Sequence, residues 1–162
     1  MSQESLFPMP QQSTTSDDYY TPKWLFDALG LEFDLDVASP PEGPWHTPCK
    51  AYYTQETDGL NSEWNGLVWM NPPYSKPEPW VKKWVAHKNG LALLPCSNGK
   101  WFFELWHNEQ IQCVNIRPQD QKLLKFDTPQ GKSISIFMPT LLWAIGDTAI
   151  AAVINSGLGK VR

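Results

Sequence analysis

Basic residues are scarce in the first half of this chain. Through position 74 there are two lysines, Lys23 and Lys50, against eleven acidic residues, a formal charge of −9. Residues 75–162 reverse the balance, with eleven basic residues against six acidic ones, or +5. The polarity predicts an acidic side suited to a small ligand and a basic side suited to a polyanion. Cysteine is sparse as well. Cys49, Cys96 and Cys113 are odd in number and widely spaced, which excludes a paired zinc site and a disulfide framework and predicts reduced thiols in the cytoplasm. No apolar run reaches membrane-spanning length, and the first residues are not a charged stretch followed by an apolar one, so neither a membrane span nor a signal peptide is expected. His46, His87 and His107 are scattered, so no metal site and no catalytic triad is expected. There is no internal repeat and no coiled-coil heptad.

What is present is a chain of 162 residues, the size of one domain. Residues 1–18 are polar and aperiodic and read as a disordered tail, leaving 19–162 as the folded unit. "YYTPKWLFDALG" predicts a helix with Thr21 as N-cap, Pro22 at the first helical position and Gly30 at the end. "LEFDLDVA" alternates apolar and acidic residues with the period of a strand. A long Pro-rich connection from Ser39 to Glu63 follows, of a length that is usually functional. The short strand "GLVWM" then runs straight into Asn71. "PWVKKWVAHK" and "KWFFELWHNEQ" read as amphipathic helices around the buried strand "GLALLP". "QCVNIR", "LLKF" and "SISIFM" read as further strands, the region near 123–138 forming a hairpin that helps close the sheet, and "DTAIAAVINSG" as a final helix. Strands alternating with helices predict an α/β sandwich.

The chemistry concentrates in "LVWMNPPYSKPEPW". In open α/β sheets ligands collect at the carboxyl ends of strands, where Asn71–Tyr74 falls. The Asn71 side-chain oxygen and the Pro72 carbonyl are two acceptors, and the rings of Pro72 and Pro73 fix the backbone that presents them. Two converging acceptors suit an exocyclic amine, whose lone pair they keep from delocalising fully into its ring. Tyr74 offers a flat face to an aromatic base. The competing reading is a proline turn in which Asn71 bonds its own backbone.

"NPPY" after a strand resembles the signature of S-adenosylmethionine-dependent amino-methyltransferases. "YYTP", "FDLDVA", "TDGLNSEW" and "GLALLP…KWFFELW" resemble, in order and spacing, the phage DNA N-6-adenine methyltransferase family over roughly residues 19–137. The resemblance implies a Rossmann-like sandwich with a mixed, mostly parallel sheet and helices on both faces. It implies methyl transfer to the N6 amine of an adenine flipped out of DNA. Asn71, Pro72, Pro73 and Tyr74 would hold the adenine, and Tyr20, Thr21, Pro22, Asp36 and Asp58 the S-adenosylmethionine. Ser75, Lys76, Lys100 and Trp101 would meet the nucleic acid, with Lys82 and Lys83 following phosphates. Asp58 is equally readable as a turn former before Gly59. The chain departs from the pattern in one place: the usual F-x-G-x-G loop after the first strand is replaced by "DLDVASPPEGP". Methylation of RNA or of a protein glutamine is the alternative, as is an inactive nucleic-acid-binding relative. A monomer or weak homodimer in the cytoplasm, the host's if the chain is phage-encoded, completes the expectation.

Overall fold

The computed structural model describes residues 16–116, 124–136 and 138–162. Residues 1–15 of the expected tail lie outside them, and Ser16–Asp18 form a single 3-10 turn. Six strands make the main sheet: β1 (Phe33–Asp36), β2 (Cys49–Tyr52), β3 (Val68–Met70), β4 (Gly90–Pro95), β5 (Ile111–Asn115) and, beyond a hairpin, β8 (Thr140–Ile145). Their order is β2-β1-β3-β4-β8-β5. Pairings are parallel from β2 through β4, and β8 runs antiparallel to both of its neighbours.

Helices cover both faces. On one, α1 (Lys23–Leu29) and α4 (Asp147–Asn155) bury Leu25, Phe26, Leu29, Ala149 and Val153 against Trp69, Leu91, Leu93 and Leu142. On the other, α2 (Glu78–His87) and α3 (Lys100–Trp106) bury Val81, Trp84, Trp101 and Leu105 against Val68, Met70, Leu94 and Trp143. Successive residues of a strand point to opposite faces, so a strand covered twice reads as continuous apolar sequence. That is why "VWM" and "GLALLP" carry no polar alternation. It also explains β8: "TLLWAI" is buried at all six positions and offers no period by which to recognise it.

Two sequence expectations are revised. The first helix starts at Lys23 with Pro22 as its N-cap, and Thr21 makes no cap bond; its hydroxyl is used elsewhere, as described below. Gly30 does close that helix, in the left-handed region at φ 62° where glycine carries no steric cost. The expected hairpin exists as β6 (Lys125–Asp127) and β7 (Ser133–Ser135), but as a separate two-stranded sheet that leaves the main sheet unextended. It docks instead on the segment before α1. Tyr20 and Asp127 exchange backbone bonds of 2.9 and 2.8 Å, and Phe126 stacks on Tyr19 at 5.5 Å.

An acidic candidate site at the reversal of strand order

From β1 the chain moves outward to β2, then returns to place β3 on the other side of β1 and continues away through β4. The strand order therefore reverses between β1 and β3, the position at which open α/β sheets leave a crevice beyond their carboxyl ends. A cavity of about 310 Å³ lies there. Asp36, the last residue of β1, and Asn71, the first after β3, both line it.

Asn71 is held by its amide nitrogen, which donates to the Tyr19 carbonyl at 2.9 Å and to Thr21 Oγ1 at 3.2 Å. A carbonyl oxygen can only accept, so this contact fixes the orientation of the amide. The consequence is that Asn71 Oδ1 is buried without a hydrogen-bond partner among the described residues. A buried acceptor left unpaired costs about 1–3 kcal/mol, and one facing a cavity is a site for a donor that arrives with a ligand. Ser39 repeats the pattern. It is 7% exposed, its hydroxyl has no partner among the described residues, and it lines the same cavity.

The electrostatics are one-sided. Asp17, Asp18, Asp36 and Asp58 line the cavity, and no Lys, Arg or His does so among the described residues. Asp36 is the deepest, at 2% exposed. Burial pushes its carboxyl up to about 7, against the lowering effect of the Ala38 N–H and a hydrogen bond from Thr47. Asp34, two residues earlier on β1, is spent on structure: its carboxylate accepts the Leu67 N–H at 2.7 Å and pairs with Lys50 at 3.2 Å. Asp58 is exposed, has φ 56°, and caps the 3-10 turn Gly59–Asn61 through Asn61. It is both a turn former and a pocket-lining residue.

Gly59 sits where a later loop passes against the end of β1. A Cβ there would lie 1.9 Å from the Val37 carbonyl oxygen, so only glycine lets this distant loop cross the end of β1. The loop is pinned from below. Trp64 Nε1 donates to the Gly59 carbonyl at 2.7 Å, and Lys83 donates to the Leu60 and Ser62 carbonyls. Lys83 also lies 4.9 Å over the Trp64 ring. Its ammonium is thus turned to the loop rather than offered to a phosphate.

Of the residues singled out in the sequence, Tyr20, Thr21, Asp36, Asp58, Asn71 and Pro73 line the cavity. Pro22 and Pro72 do not, and neither does Tyr74. The Tyr74 hydroxyl donates to the Leu93 carbonyl at 3.1 Å, burial pushes its ionisation well above the usual range, and its ring meets Tyr19 and Phe126 edge-on. Ser75 binds the Asp17 carboxylate at 3.1 Å. Lys76 is exposed. Lys100 is exposed and paired with Glu104 at 3.5 Å. Trp101 is 8% exposed and packed in the α2–α3 core, so its ring has no open face for a base.

Sequence reasoning missed Ser39, Trp45 and Trp80, which also line the cavity. Trp45 packs 5.3 Å from Tyr20 and donates Nε1 to Asp127 at 2.8 Å, tying the β6–β7 hairpin to the rim. For Ser39 and Trp45 the only signal was the length of the 39–63 connection; Trp80, in α2, had none. Among the described residues no cluster suits a metal ion, and no helix is long and apolar enough to cross a membrane.

Fold and cavity together define an α/β protein with an acid-lined cavity at the reversal of its strand order. The family model for DNA N-6-adenine-methyltransferase (Dam) matches residues 10–117, and the chain belongs to that family. A DNA N-6-adenine-methyltransferase of Escherichia phage T1 is 40% identical over 84 residues, which cover 48% of this chain and 34% of the phage protein. One of Haemophilus phage HP1 is 31% identical over 102 residues, 56% of this chain and 57% of its own length. The chain thus spans between about a third and three fifths of these curated relatives. No solved structure matches it.

Proposed function

We propose that this chain is a Rossmann-like methyltransferase that uses S-adenosylmethionine to methylate the N6 amine of adenine in DNA. The observation that carries the reading is the unpaired Asn71 Oδ1, fixed by two bonds on its amide nitrogen and set in the wall of an acidic cavity. The names of the two phage relatives point to the same reaction.

The residues fit the cofactor. S-adenosylmethionine carries a net positive charge, and the cavity is lined by four acidic side chains and no described cation. Asp36, Ser39 and Asp58 would hold its polar groups, while Pro40, Pro41 and Trp69 give apolar walls. When bound, it supplies the methyl group. Asn71 acts on the other partner. Its Oδ1 accepts an N–H of the adenine amine, which keeps the nitrogen lone pair from delocalising fully into the ring and so leaves it nucleophilic. Positioning in a site closed to water contributes most to such a transfer. No strong base is required, because the proton of an alkylated amine is acidic. The N6 amine is occupied in base pairing, so the adenine must leave the stack to reach Asn71.

The test uses methyl-labelled S-adenosylmethionine and duplex DNA, digested to nucleosides. Label in N6-methyladenine with the wild type, and its loss in Asn71→Ala with cofactor affinity kept, is the expected result. Label confined to RNA or protein, or cofactor bound with no methylated product, would overturn the proposal.

A further inference from the structure

A second hollow, of about 510 Å³, lies on the α3 side of the sheet and has the opposite character. Its walls include Phe102, Phe103, Trp106 and Cys113, with Lys160 and Arg162 beside them, and no acidic residue lines it among the described residues. Helix phase explains the aromatics. Trp101 and Leu105 of α3 turn inward, which leaves Phe103 and Trp106 facing out at 51% and 50% exposed. Trp106 is nonetheless held in place, parallel to Phe102 at 6.4 Å and perpendicular to Trp143 at 6.3 Å. Two large rings fixed in the open are unusual for a surface and mark a contact site.

The cations arrive by strand pairing. Val161 bridges Val114 on the open edge of β5, and Cys113 and Arg162 exchange backbone bonds of 2.9 and 2.8 Å. Side chains alternate along an extended segment. Val161 packs toward the α1–α4 core, so Lys160 and Arg162 both fall on the α3 face, beside the rings. Neither is in a salt bridge among the described residues.

We infer that this hollow binds the DNA strand near the target, its bases stacked on Phe103 and Trp106 and its phosphates met by Lys160 and Arg162. The inference rests on the reading of the chain as a DNA methyltransferase. Aromatic faces with neighbouring cations and no acid are the chemistry of sequence-tolerant strand binding. The position agrees. Asn115 ends β5 and Cys96 follows the end of β4, on the same edge of the sheet as Asn71. At a strand spacing of about 4.8 Å, β5 lies roughly 14 Å from β3, about four stacked nucleotides. The acidic cavity and the basic hollow would then divide the two substrates, cationic cofactor and polyanion, between two places on one edge.

A fluorescein-labelled oligothymidylate of 20 nucleotides tests this, because it offers no adenine to the Asn71 site. Anisotropy titrations should show Trp106→Ala weakening binding roughly ten- to a hundredfold, as loss of one stacked base does. Lys160→Ala with Arg162→Ala should lower the slope of log affinity against log salt by about 1.4. Unchanged affinity in Trp106→Ala and an unchanged salt slope in the double variant would overturn the inference. So would sedimentation showing that Trp106→Ala converts a dimer to monomers while affinity for the oligonucleotide is kept. The methylation assay stands apart. If the wild type methylates adenine and the hollow variants bind normally, the inference alone fails. If the variants lose binding while the wild type makes no N6-methyladenine, the proposed reaction fails and the hollow stands.

Discussion

Asp36→Asn should make the protein more stable at pH 8 and leave it nearly unchanged at pH 4. The carboxyl ends β1 at 2% exposed, and burial raises it to about 7 from an ordinary value near 4. A raised carboxyl binds its proton more tightly in the folded chain than in the unfolded one. Its contribution to stability is therefore complete below the unfolded value and disappears as pH climbs through the folded one. About three pH units, at about 1.4 kcal/mol each, amount to roughly 4 kcal/mol by pH 8. Asparagine can still accept from the Ala38 N–H, which lies 3.2 Å from Asp36 Oδ1, and has nothing to ionise. Urea titrations of both proteins at half-unit pH steps measure the difference, and the other titrating groups cancel between them. The gap should open between pH 4 and pH 7 and stay constant above. A gap independent of pH would refute the assignment of a raised pKa. The same variant should bind S-adenosylmethionine more weakly at pH 8, where the wild-type carboxylate is charged and the cofactor is a cation. Stabilisation combined with lost affinity separates a ligand-facing carboxylate from a merely misplaced one.

Gly59→Ala should destabilise by about 3 kcal/mol or more, the cost of overpacking against backbone, because the added methyl meets the Val37 carbonyl at 1.9 Å. Thermal unfolding with and without S-adenosylmethionine checks it, and the stabilisation by cofactor should shrink as the loop is displaced from β1. Tyr74→Phe removes the bond to the Leu93 carbonyl and should cost about 1 kcal/mol with methylation retained. Tyr74→Ala, by contrast, opens a space beside the stacked rings of Tyr19 and Phe126 and should impair adenine capture more than cofactor binding. Equal loss of both in kinetic titrations would contradict a role on the base side.

Legibility in the sequence followed from how many faces of each element are covered. β1 is readable because Asp34 points to a polar edge and the apolar residues alternate with it. β8 is buried throughout, and β2, whose "CKAY" is half-buried at Cys49 and exposed beyond it, lies inside a Pro-rich connection; neither carries a period. The same limit governs α3. With seven residues, five of them large and apolar, the pattern does not fix which side turns inward, and the expected contact at Trp101 falls on the core side while Trp106 faces out.

At the site, residues adjacent to a strand end were legible, as Asp36 and Asn71 show, because topology alone brings strand ends to the crevice. Ser39, Trp45 and Gly59 reach it only through the path of a long loop. That path is set by particular collisions and bonds, such as Gly59 against Val37 and Trp64 to Gly59, which no local pattern announces. Charge was legible in a different way. The acids that line the cavity all come from positions 17–58 and the cations of the second hollow from 160 and 162. For these residues the sequence polarity is also a spatial one, because an edge-strand pairing carries the end of the chain to the far side of the sheet from β1.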